Sequence, residues 1–260
     1  MKLGKHAGAN LPNCVSVGRI QPMSALRQKR TFLRIGQAAE HLEKPEVKAG
    51  RKNTLPRISL GFRAVRGGGV VVGVSVEGRR PNVGLSTFIG TAAVGDRLSL
   101  EPYHVAAEMR RGPHNRVSAK ATAAVSEGRR RQCRMAATGL DAVIRELEAT
   151  GYQTVVAALL VNRAGWITDL LEYSLFAPEH PPVAEGLAVR DAFRFALCQS
   201  GIKAIEMDER SLQEVASREL RHSIAGIDNH LKRLGATVGR PWRREQKLAC
   251  LSAWLAIRDL

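Results

Sequence analysis

The sequence predicts an α/β fold: a mixed sheet, three strands in an antiparallel meander and further strands parallel, with helices on both faces and a helical C-terminus. Three observations carry that reading. Residues 152–163, YQTVVAALLVNR, hold an uncharged run of eight, residues 154–161, bounded by Gly151 and Asn162. Such a run suits a strand buried on both faces, and it is too short to span a membrane. Upstream, β-branched runs separated by Gly- and Asn-containing turns indicate antiparallel strands. Downstream, a helix followed by the apolar run 202–207, IKAIEM, indicates a parallel crossover.

The charge is unevenly spread. The 260 residues carry a net +16, but residues 1–66 hold 14 Lys and Arg against 3 Asp and Glu, whereas residues 67–260 hold 26 against 21. Residues 1–66 lack sustained periodicity and are interrupted by Pro12, Pro22, Pro45 and Pro56. They read as a disordered basic tail before a folded domain spanning 67–260. Cys14, Cys133, Cys198 and Cys250 form no C-x-x-C pair, which argues against a zinc ribbon or redox motif and suits free thiols in a reducing compartment. With no secretory or membrane-spanning segment in the pattern, the expected location is cytoplasmic.

Taken in order, the domain is expected to open with strands at 70–77, 83–92 and 97–105, turning at 78–82 and at Gly95-Asp96. The glycines of GGGVVVGVSVEG precede a strand instead of following one, which excludes a dinucleotide-binding loop. Residues 106–127 read as a loop, with His104 and Glu108 spaced as an i,i+4 surface pair. An amphipathic helix is expected over 129–150, with Leu140, Val143, Ile144 and Leu147 inward and Gly151 ending it. Arg129, Arg130, Arg131 and Arg134 at its start are the densest basic cluster of the domain, hence the candidate nucleic-acid contacts.

After the central strand, helices are expected over 166–176 and 183–199. Ser211 and Glu214 have the spacing of a capping box, followed by a second short helix. A last helix, 241–260, carries Leu248, Leu251, Trp254, Leu255 and Ile257 around more than one face, so it should be sandwiched or meet a second copy.

This order of elements, with the first strand read as VVGVSVEG, resembles the RNase H-like superfamily, and within it the RuvC-type nucleases, over roughly residues 68–260. The resemblance implies acidic residues on the first strand, at the end of the fourth strand and at the start of the last helix, together holding Mg²⁺ or Mn²⁺ for phosphodiester cleavage. Carried over, those positions fall on Ser75 with Glu77 beside it, on Asn162, and on Glu245. Glu77 and Glu245 are then the candidate metal ligands, and Ser75 and Asn162 neutral members of a depleted site. Hard cations want carboxylate oxygens, so this set argues against efficient metal-dependent cleavage. The implied function is a nucleic-acid-associated protein of doubtful nuclease activity. The alternative is a non-catalytic assembly domain that dimerises through its C-terminal helix.

Other acids offer weaker sites. Glu185 and Asp191, six residues apart on one helix, point at different angles. Glu206, Asp208 and Glu209 cluster at the end of the fifth strand, where open α/β sheets bind ligands. No G-x-S-x-G elbow or nucleophile–base spacing is present.

Overall fold

A computed structural model describes residues 55–78, 80–109, 117–162 and 166–258. The chain divides between Thr54 and Leu55. The expected basic tail therefore lies almost wholly outside the described residues, but its proposed end at 66 does not. Arg57–Val65 is a strand, β1, and it is the middle strand of the sheet.

The reason lies in the pattern RISLGFRAV. Ile58, Leu60 and Phe62 alternate with Ser59, Gly61 and Arg63, and the period of two sends the sets to opposite faces. The large residues join Leu140, Leu159 and Phe193 in one core. The small ones let a helix come close on the other face. A Cβ at Gly61 would lie 1.8 Å from the Ala249 carbonyl oxygen, and the Ser59 hydroxyl reaches the Ala253 carbonyl at 2.7 Å.

Strand β2 (Gly68–Glu77) pairs antiparallel with β1, and β3 (Arg80–Gly90) pairs antiparallel with β2. The meander is present, displaced one strand toward the N-terminus from its expected place. The third expected strand, 97–105, is instead two short helices, α1 (Arg97–Leu100) and α2 (Pro102–Ala107). Asp96 caps α1 by accepting from the Ser99 N–H, and Pro102 opens α2, so local chemistry favours helix over strand there.

Helix α3 spans Ala119–Ala149, ten residues longer at its start than expected, because Ser118 caps it through the Ala121 N–H at 3.1 Å. The chain then turns at Gly151, with φ +84°, into β4 (Gln153–Val161), which is parallel to β1. Helices α4 (Leu170–Phe176) and α5 (Pro181–Gln199) lead to β5 (Ala204–Asp208), parallel to β4. The strand order is β3-β2-β1-β4-β5. The sheet is thus mixed, with the expected antiparallel meander on one side and parallel strands on the other.

Helices α6 (Leu212–Leu220), α7 (Ile224–Val238) and α8 (Arg244–Arg258) complete the chain. Ser211 makes no side-chain cap bond to α6, so the expected capping box is not formed. Helices α3 and α5 cover one face of the sheet. Helix α8 lies on the other face, with α6 and α7 packed into the same core. Residues 248–257 of α8 are all buried within this chain. Their all-round apolar pattern is thus satisfied by the sheet beneath and the helices beside them, without a second copy.

Candidate functional site

Strands β1, β4 and β5 run the same way, so their C-terminal ends share one edge of the sheet. The register places Phe62 beside Leu159 and Val161 beside Asp208, which brings Arg63, Asn162 and Glu209 together at that edge. Glu209 is anchored by its backbone N–H to the Val161 carbonyl at 2.9 Å. The first turn of α8 brings Arg244 and Glu245 to the same place.

Arg63 is the centre of this group. Its Nε and Nη2 donate to the two carboxylate oxygens of Glu209 at 3.1 and 3.0 Å, a two-pronged pair. Its Nη1 lies 3.6 Å from Glu245 Oε1, and Arg244 Nη2 lies 3.7 Å from Glu209 Oε1. Beside it, Arg190 donates to Asn162 Oδ1 at 2.6 Å. Burial, followed by the neighbouring Arg194 charge, pulls the Arg190 pKa below its ordinary value. Arg194 bridges Glu206 and Asp191, and its hydrogen bond to Glu206 raises its own pKa. Every acid of the β5 cluster is thus engaged: Glu206 and Glu209 by arginines, and Asp208 by the Arg210 backbone N–H at 3.0 Å.

The expected site residues separate into two pairs. Asn162 and Glu245 are at this edge. Ser75 and Glu77 are not, because β2 runs opposite to β1 and pairs Ser75 with Ile58. Ile58 and Arg63 are five residues apart along β1, about 17 Å at the rise of an extended strand. Glu77 lies at the far end of that span, so it and Glu245 do not share an ion position. The slip follows from the missed first strand: the residues aligned with it are those of β2. The first strand among the described residues, Arg57–Val65, contains no acid and places Arg63 at the edge.

Divalent metal does not fit this edge. A guanidinium already holds both oxygens of Glu209 and neighbours Glu245, and β1 supplies no carboxylate. Among the described residues, no group of three or more His, Cys, Asp or Glu side chains is arranged to hold an ion.

The arginines of α3 also look different in three dimensions. Arg129 pairs with Asp191 at 2.8 Å, Arg130 with Glu127, and Arg131 with Glu127 and Asp96. The Arg130 and Arg131 guanidinium groups hold the Glu127 carboxyl down at about 2. The cluster lies within the helix and not at its start, and Arg134 is its one exposed member with no ion pair described. His104 and Glu108 do not pair either: Glu108 binds Arg97, and His104 Nδ1 is 3.5 Å from buried Glu185.

The basic excess sits elsewhere. Residues 218–244, from the end of α6 through α7 to the start of α8, hold seven Lys and Arg against Glu219 and Asp228. A shallow hollow of about 560 Å³ there is lined by His222, Gly226, Asn229, His230, Lys232 and Arg233, with no acid among them. The His222 and His230 rings lie 5.5 Å apart and both approach the buried Trp254. Arg233 Nη2 lies 3.2 Å from His230 Nδ1. The signal in the sequence was the local charge count, which the denser Arg129–Arg131 run obscured.

No protein-family model and no curated protein sequence matches the chain. Among solved structures it is similar to Thermus thermophilus RuvC, with 8% identity and a TM-score of 0.43, over 76% of this chain and 92% of that one. T. thermophilus RuvC in complex with Holliday junction substrate gives the same identity and TM-score, over 76% and 91%. Identity this low leaves each site residue to be judged on its own geometry.

Proposed function

We propose that this chain is a nucleic-acid-associated protein of RNase H-like fold that binds the phosphate backbone without cutting it. The observation that carries the reading is the acid-free hollow between His222 and Arg233, whose lining includes imidazole, amide, ammonium and guanidinium side chains. Such a donor set is complementary to phosphate oxygens, whose contacts set affinity without reading sequence. The engagement of Glu209 and Glu245 by Arg63 supports the second half, since it leaves no carboxylate pair for the metal that cleavage would need. The family's Mg²⁺ or Mn²⁺ is accordingly not part of this reading.

The test is fluorescence anisotropy of labelled single- and double-stranded oligonucleotides against the full chain, over a salt series. Lys232→Ala with Arg233→Ala should weaken binding about tenfold at low salt and lower the salt slope by about two. No cleavage should appear with Mg²⁺ or Mn²⁺. Unchanged binding by the double variant defeats the binding half. Metal-dependent cleavage that Glu245→Gln abolishes defeats the other.

An assembly role is the second reading, and the observation favouring it is on α4 and the residues flanking it, not on α8. Trp166 and Phe176 are 71% and 81% exposed, with the Tyr173 and His180 rings stacked 4.0 Å apart between them. Aromatic side chains are enriched in protein interfaces. A stable dimer in light scattering that Phe176→Ser dissolves would establish that role.

A further inference from the structure

We infer that Arg63 is the resident cation of the sheet edge, a built-in guanidinium that takes the place of a divalent ion between β1, β5 and α8. Glu209 and Glu245 come from elements far apart in sequence, yet both reach the same side chain. All three are substantially shielded, with side-chain exposures of 19% for Arg63, 24% for Glu209 and 35% for Glu245. Two carboxylates brought together under shielding repel each other unless a cation lies between them. A metal ion would satisfy them equally well, but it needs the same oxygens, and the guanidinium binds those of Glu209 in two-pronged fashion. Arg63 and a metal are therefore mutually exclusive occupants.

The consequence is a single-residue switch in the kind of cation the edge accepts. Arg63→Asp removes the guanidinium and puts a third carboxylate on β1, facing Glu209 and Glu245. Asn162 and Asp208 lie on the adjacent strand ends. Three convergent carboxylates from three elements form a site for a hard divalent ion. This inference shares its Arg63 pairs with the non-cleaving half of the proposed function and goes beyond it, and it is independent of the binding half, since the Lys232 and Arg233 variants do not touch the edge.

The experiment uses the full chain with Mn²⁺ as the probe, followed by electron paramagnetic resonance and by thermal melting. Arg63→Asp should bind Mn²⁺ saturably and melt about 5 °C higher at saturation than without it, because a ligand that binds only the folded state stabilises it. The wild type should show neither effect. Arg63→Met, which removes the charge without adding a carboxylate, should melt lower than the wild type and gain nothing from Mn²⁺. Adding Glu245→Gln to Arg63→Asp should weaken Mn²⁺ binding at least about tenfold. Where Arg63→Asp fails to fold without metal, refolding dependent on Mn²⁺ supports the inference. Saturable Mn²⁺ binding by the wild type overturns it. So does an Arg63→Asp chain that folds without Mn²⁺ affinity, or an Arg63→Met chain as stable as the wild type.

Discussion

The Glu185 carboxylate sits on the first turn of α2, where its Oε1 accepts the backbone N–H of Tyr103 at 2.7 Å and that of His104 at 3.1 Å. Its other oxygen is buried without a described hydrogen-bond partner, and the residue is only 4% exposed. One side of the group is satisfied and the other is stranded in an apolar cluster that includes Tyr103, Ala184 and Ala188.

That asymmetry sets a pH dependence. Burial outweighs the two N–H bonds and pushes the Glu185 carboxyl up to about 7. A carboxyl raised above its unfolded value stabilises the fold while protonated, and the contribution is lost as pH rises from about 4.5 through 7. Glu185→Gln keeps the accepting oxygen and removes the charge. Its stability advantage over the wild type should grow by about 3 kcal/mol from pH 4 to pH 8, measured by urea unfolding. A constant difference across that range would show that burial does not govern the group.

Gly61 makes a steric prediction. A methyl group there would meet the Ala249 carbonyl of α8 at 1.8 Å, and backbone cannot yield as a flexible side chain can. Gly61→Ala should cost about 3 kcal/mol by forcing α8 off the sheet, a core overpacking penalty. Thermal melting checks this, and a melting point within a degree of the wild type would contradict the close approach.

The α3 arginines should prove structural. Arg131→Ala removes the link from α3 to Asp96, whose carboxyl that arginine holds below its usual range, and so loosens the cap of α1. Oligonucleotide affinity should stay within about twofold of the wild type, in contrast to the Lys232 and Arg233 pair. A loss as large as that of the α7 variant, in the same anisotropy assay, would return the binding surface to α3.

How legible the site was follows from how legible β1 was. RISLGFRAV holds three apolar residues at alternate positions, a strand signal, but its two arginines continue the composition of the basic stretch before it. Reading it as tail moved the first strand to β2, and a reversal of strand direction then sent Ser75 and Glu77 to the wrong edge. The expected strand at 97–105 failed for a different reason, since capping by Asp96 and the proline at 102 outweighed the alternation of Leu98 and Leu100 with polar residues. The acids at 206–209 were visible as a group at a strand end. Their partners were not, because Arg63 lies 146 residues from Glu209.

What the sequence by itself determined is the layered architecture: β4 as a buried parallel strand, the crossover through α5 to β5, and a helical end covering the sheet. These are local properties, fixed by hydrophobic period and run length within a dozen residues. Only the tertiary structure decided which charges stand free and which are spent. Arg129, Arg130 and Arg131 resemble a docking patch in one dimension, yet meet Asp96, Glu127 and Asp191 once the helices pack. Arg63 looks like one more residue of a basic leader, yet lies between two carboxylates. Coulomb interaction depends on separation in space and on shielding from water, and neither is written in the order of residues along the chain.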